Sequence, residues 1–291
     1  MHYDSFKEAL LALVRERLGP GYQVRLQETV KTNNVLMTGI CVTEKEGTLS
    51  PTVYLEPFYE RYQKGDSLDY LASLLLAFLG EHQVKIPFDL EALARFPEMR
   101  EKLRFRLVNR EWNRPLLDEV PHRDFLDLSI LYSLLIEDPA LGTGSILVRN
   151  EHMKHWDKTE DDLFSVTSEI APANDPWTCT DIYSLLKKSG FEMPEIPSPL
   201  HILTTKNRSY GAAGILYPDA LESLSEIFQD DFYLLPGSVH EFLILPAREL
   251  PFPPEALNRT IVEVNTYDLN PTERLSDHYY YYSRESGKIT F

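Results

Sequence analysis

The stretch DFYLLPGSVHEFLILPA, Asp231 to Ala247, can be read as a metal site or as a hairpin, and the fold turns on which. Two apolar runs flank Pro236-Gly237-Ser238, a step that predicts a turn between two strands. The second run carries His240-Glu241, which also opens the zinc-protease signature His-Glu-x-x-His. That signature needs two histidines one helical turn apart, so that both imidazoles reach one metal while Glu acts as base. Position 244 is Ile, and Val239, Phe242, Leu243, Ile244 and Leu245 read as strand. Neighbours on a strand point to opposite faces, so His240 and Glu241 diverge. The protease reading fails on register and the hairpin stands.

Strands and helices alternate outward from this hairpin. Phe6, Leu10, Leu13, Val14 and Leu18 recur at helical spacing, which predicts a helix over Tyr3 to Leu18 closed by Gly19-Pro20. YQVRLQETV and NNVLMTGICVTE read as strands, with Asn33-Asn34 as the turn between them. PTVYLEPFYERYQKG starts extended at Pro51 and becomes helical through Tyr62, and Leu68 to Leu79 is an apolar helix. A short helical pattern starts at Asp89. LRFRLVN, VPHRDFLDLSILYSLLI and GSILVRN read as strands. EHMKHWDKTEDDLFSVTSEIAP gives two helices, with Thr159 and Asp162 as a capping box. DPWTCTDIYSLLKKSGFEMPEIPSP holds a short helix and then a linker carrying Pro194, Pro197 and Pro199. LHILTT is a strand, and YGAAGILY a strand handing over to a helix through a second box, Asp219 and Glu222. Ile261 to Thr266 reads as strand. Tyr279 to Tyr282 predicts a final hairpin strand, with Tyr279 and Tyr281 on one face and Tyr280 and Tyr282 on the other. The fold class is therefore α+β, mostly antiparallel sheets with packed helices. Recurring strand-to-helix units and two Pro-led His/acid segments suggest two related sub-domains, 1–105 and 106–291.

NNVLMTGICV, PTVYLEPFYERYQKG, LVNREWNRPLLDEVPHRDFLDLSILY, GSILVRNEHMKHW, YGAAGILYP, LLPGSVHEFLILP and VEVN together resemble the domain-of-unknown-function 5688 family of bacterial proteins. The matching stretches run from about Asn33 to the C-terminus and are specific as a set. Gly237 stands where that family tends to have Ser. The final third is more distantly similar to the domain-of-unknown-function 1444 family. Neither resemblance implies an activity, substrate or cofactor.

The chain of 291 residues holds 29 Lys+Arg against 45 Asp+Glu, a net charge of −16. Such a field repels phosphate backbones and anionic lipid, so nucleic acid and membrane are not expected partners, whereas a protein with a basic surface is. The one dense basic run, Arg100 to Arg110, reads as a solvated helix face or an exposed strand. Cys41 and Cys179 lie far apart without a CxxC, so no disulfide framework or zinc ribbon is expected. The N-terminus lacks a signal-peptide pattern, and a cytoplasmic location is expected.

Candidate chemistry is sparse. His122 and Asp124 are two apart, so on a strand they share a face. His152 and His155 are three apart and share a face on a helix, a geometry open to a transition metal. There is no Gly-x-Ser-x-Gly elbow, and GTGS at Gly142 to Ser145 lacks the Lys of a phosphate loop. No cofactor is expected. The leading expectation is a non-enzymatic binding or protein-interaction module. The alternative is a hydrolase, possibly metal-dependent, whose His122, Asp124, His240 and Glu241 converge in one cleft.

Overall fold

The computed structural model describes residues 1–44, 52–81, 92–138 and 142–291. It is α+β, and every strand pairing with a described register is antiparallel. The chain divides into two compact units: Met1–Lys31 with Val35–Phe88 and Pro139–Gly142, and the remainder, Thr32–Asn34, Asp89–Asp138 and Thr143–Phe291. A division after Phe105 would cut a continuous strand, β4 (Leu103–Asn109).

In the first unit, α1 (Tyr3–Leu18) precedes β1 (Tyr22–Val30), β2 (Leu36–Glu44) and β3 (Thr52–Tyr54), which form one three-stranded sheet. Two helices follow, α2 (Glu56–Gln63) and α3 (Leu68–Glu81). Phe6, Leu10 and Val14 are fully buried, four residues apart as a helix presents them. They pack with Ile40, Leu55, Leu71 and Leu75 in one core. The expected Asn33-Asn34 turn is present, with both residues at positive φ, and it belongs to the second unit. There Asn33 N–H donates to Asn113 Oδ1 at 2.6 Å, and Asn113 donates to Asn109 O at 2.7 Å.

The second unit has two sheets. After α4 (Phe96–Met99) come β4, α5 (Arg114–Leu117), β5 (His122–Phe125), β6 (Leu128–Asp138) and β7 (Gly142–Leu147). The strand order is β4-β6-β5, with β7 also on β6. Two helices, α6 (Asn150–Trp156) and α7 (Glu160–Asn174), separate this sheet from β8 (Trp177–Asp181). The chain continues through α8 (Ile182–Lys188), β9 (His201–Thr205), α9 (Ala220–Phe228), β10 (Phe232–Ser238), β11 (Glu241–Pro246), α10 (Glu255–Tyr267), β12 (Tyr280–Ser283) and β13 (Lys288–Thr290). The second sheet is ordered β13-β12-β10-β11-β9-β8. Its terminal hairpin is as expected, and Tyr280 and Tyr282 are buried while their neighbours are half-exposed.

Several local expectations give way to tertiary contacts. The segment from Val120 is a hairpin, β5 and β6, because the chain reverses at Leu126 (φ 56) and Asp127. Ile261 to Thr266 is helical: Leu257, Ile261 and Asn265, four apart, are the buried residues of α10. Its β-branched run is held because Leu257 and Ile261 pack on Leu235 and Leu245. Gly211–Leu216 is a buried 3₁₀ turn rather than a strand, and a Cβ on Gly211 would lie 2.1 Å from Thr204 Oγ1. The short helix expected in DPWTCTDIYSLLKKSG is present as α8, and Trp177–Asp181 ahead of it is a strand. The Thr159/Asp162 capping box forms, whereas Asp219 caps nothing and its carboxylate instead accepts from Trp177 Nε1 at 3.4 Å. Pro236-Gly237-Ser238 lies inside β10 with an irregular register, and the reversal falls at Val239-His240. The basic run is also not a solvated face: β4 is buried along nearly its whole length. The helical pattern starting at Asp89 begins outside the described residues. Among the described residues, no helix is long and apolar enough to cross a membrane.

The helical phase of α10 has a direct check. Ile261→Ala should lower unfolding free energy by about 2–4 kcal/mol. Val262→Ala, on the exposed side, should change it by less than about 0.5 kcal/mol in urea titrations.

Candidate functional site

The residues singled out from sequence fall into separate local arrangements. His122 and Asp124 do share a face of β5. His122 is exposed, and its Nδ1 lies 3.1 Å from Val120 O. Asp124 pairs with Arg110 at 2.9 Å. His240 occupies the β10–β11 turn in the other sheet. Its N–H donates to Ser238 Oγ at 3.0 Å, its carbonyl accepts from Thr204 Oγ1 at 2.8 Å, and its Nδ1 accepts from Tyr210 N–H at 3.0 Å. Accepting at Nδ1 places the proton of the neutral ring on Nε2. Glu241 accepts from Ser238 Oγ at 2.7 Å. Ser238 therefore closes the turn with both hands, and a Cβ at Gly237 would sit 3.2 Å from Glu241 Cγ. No hydrogen bond, ion pair or ring contact joins the His122 pair to the His240 pair.

His152 and His155 share α6. His152 Nδ1 accepts from Arg149 N–H at 3.0 Å as part of the helix start, and its ring stacks on Trp156. His155 is exposed. Among the described residues, no group of three or more His, Cys, Asp or Glu is placed to hold a metal ion. Cys179 is half-buried, and burial pushes its thiol up to about 12, away from thiolate chemistry at neutral pH.

The second unit carries an open cleft of about 970 Å³. One wall is β5 and its turn, Arg123 to Leu126. The opposite wall is Arg284 to Ile289 of the β12–β13 hairpin, and α9 with the turn before it forms the third side. Half-buried Phe125, Leu126, Phe164, Leu216, Leu221 and Ile289 give it an apolar interior. Its rim is charged. Arg123 is spent on a two-pronged bond to Glu160, 2.7 Å at Nη2, and on Asp161, and its guanidinium lies 4.0 Å from the Phe164 ring centre. The Glu160 bond holds Arg123 above its ordinary pKa. Glu160 also receives the hydroxyl of buried Tyr132.

A three-residue anchor positions these walls. Asp127, in the β5–β6 turn, accepts from Tyr280 Oη at 2.7 Å and bonds His278 Nε2 at 3.0 Å. His278 Nδ1 faces Tyr279 O at 3.0 Å. Both ring nitrogens face acceptors, an arrangement that favours the doubly protonated ring. Its bond to Asp127 raises the His278 pKa against the opposing effect of burial. Burial works against ionisation of Asp127, but the bonds from His278 and Tyr280 outweigh it and leave the carboxyl below its usual range. Sequence reasoning missed this anchor, since its members lie about 150 residues apart. It also missed Arg106, buried on β4 with Cζ 3.4 Å from the Tyr210 ring centre and Nη2 on Ser145 Oγ at 2.8 Å.

The model of a family of unknown function, DUF5688, matches residues 3–284. The chain belongs to this family. No curated protein and no solved structure matches this DUF5688 member.

The anchor predicts a pH dependence. The raised His278 pKa gives stability that is complete below about pH 6.5 and lost as pH rises through the folded value. The lowered Asp127 pKa gives stability present above about pH 4 and lost as pH falls through its folded value. His278→Gln should therefore destabilise the chain more at about pH 5.5 than at about pH 9, read from urea midpoints.

Proposed function

We propose that this chain is a non-enzymatic binding protein that holds a segment of a partner protein in the cleft beside β5. The observation that supports this is the form of the cleft: an apolar interior, a charged rim and an open length. Small-molecule sites of similar volume enclose most of their ligand, whereas an open groove suits a polypeptide laid along it. A net charge of −16 favours a partner with a basic surface over nucleic acid or anionic membrane, by attraction and by faster encounter. A cytoplasmic setting belongs to the same reading.

The alternative reading is a hydrolase that uses His122, Asp124, His240 and Glu241. His122, Asp124, His240 and Glu241 are each engaged locally, by Val120, Arg110, Tyr210 and Ser238 respectively.

Selection of a phage-displayed random-peptide library on the immobilised full chain tests the proposal. The expected result is a set of peptides whose affinity falls at least about tenfold when Leu221→Arg puts a charge on the cleft wall, with circular dichroism unchanged. A selection that yields no peptides, or only peptides indifferent to Leu221→Arg, overturns it.

A further inference from the structure

Residues on a strand alternate between faces, so a groove lying against one face of a strand meets every second residue. The cleft is different. Arg123, Asp124 and Phe125 of β5 border it consecutively, with Leu126 of the turn after them, and so do Lys288 and Ile289 of β13, with Gly287 of the turn before them. Consecutive lining residues mean that strand edges, and not only strand faces, form these walls. Among the described residues both are terminal strands of their sheets: β5 pairs with β6 alone, and β13 with β12 alone. Each edge therefore carries a row of main-chain donors and acceptors with no neighbouring strand.

The register shows which groups these are on β5. Phe125 lies opposite Leu128 across the two-residue reversal Leu126-Asp127. The pair flanking such a turn exchanges hydrogen bonds, and bonded and non-bonded pairs then alternate along the ladder. Phe125 and Arg123 thus bond β6, while Asp124 and His122 direct their N–H and C=O away from it. Asp124 does so within the cleft. Donor and acceptor positions two residues apart are what an extended chain offers in return.

The charges narrow the occupant. Asp124 is paired with Arg110, and Arg123 with Glu160 and Asp161. Glu222 and Glu226 line the cleft one turn apart on α9, with Glu285 on the hairpin, and none of these three carboxylates makes an ion pair or hydrogen bond among the described residues. Arg284 and Lys288 are the remaining basic residues of the lining, and Arg284 donates to Gln229 Oε1 at 2.9 Å.

Building on the cleft reading, we infer that the partner segment binds as an added β-strand on the outer edge of β5, alternating apolar residues with Lys or Arg. The apolar side chains enter the interior against Phe125 and Phe164, and the basic ones reach Glu222 and Glu226. The outward N–H of Asp124 is central to this. It is not used by β6, so proline at this edge position is compatible with the β5–β6 hairpin but removes the donor and obstructs a neighbouring strand. Arg123, the residue before it, is already extended, as a residue preceding proline prefers.

The experiment uses the peptides selected on the full chain. Their sequences should alternate apolar residues with Lys or Arg. Asp124→Pro should weaken binding at least about tenfold, while Asp124→Ala, which loses only the exposed Arg110 pair, should stay within about twofold. Glu222→Lys with Glu226→Lys should weaken binding and flatten its salt dependence. Peptides that fail on Leu221→Arg yet bind Asp124→Pro as tightly as Asp124→Ala overturn strand addition and leave the cleft reading standing. Peptides indifferent to Leu221→Arg overturn both. Hydrogen exchange on the unmodified chain gives a check independent of how the proline variant folds. The Asp124 amide should become protected when peptide binds, and unchanged exchange there sinks strand addition.

Discussion

The arrangement of the second unit depends on one carboxylate. Asp127 sits at a reversal with no glycine and accepts from Tyr280 while bonding the His278 ring. A half-buried carboxylate costs free energy unless its lone pairs are met, and here two donors from the far end of the chain meet them. The same three side chains bring the tip of the β5–β6 hairpin against the strand that leads into β13. The cleft lies between these two elements, so its walls are set by a bond between residues about 150 positions apart.

Charge is handled differently inside and outside this unit. Arg106 is buried, with a ring face and a hydroxyl for neighbours and no acidic side chain; burial lowers its pKa while Tyr210 offsets part of that effect. Arg123 is bonded to carboxylates and backed by Phe164. These cations are structural. The free acids on α9 and the hairpin, by contrast, are the outward face of a chain with an excess of 16 negative charges.

What was legible in the sequence had local causes. The apolar spacing of α1, the alternation of Tyr279 to Tyr282 and the Thr159/Asp162 box each need only a few neighbouring residues to act. Reading failed where distant partners overrode local preference. Ile261 and Val262 favour strand by branching, but burial of every fourth residue against β10 and β11 makes them helix. Leu126 gives no turn signal, and its positive φ persists because Asp127 beside it is pinned from β12. For the candidate site, His122 and Asp124 were placed correctly on one face of a strand. The importance of β5 as an edge was invisible, because being last in a sheet is a property of the assembly of strands.

By itself, the sequence determined the α+β class, the hairpin at Asp231 to Ala247, the failure of His240-Glu241 as a zinc-protease motif, and membership of a specific family. These follow from period, from register and from which side chain stands at position 244. Tertiary structure alone decided that Ser238 donates to Glu241, that Asp127 joins the β5–β6 turn to β12, and that the terminal strands β5 and β13 border one cleft. The physical reason is range. Periodicity and capping act over a few residues, whereas the order of strands in a sheet and the neighbours of a buried charge are fixed only when the whole chain packs.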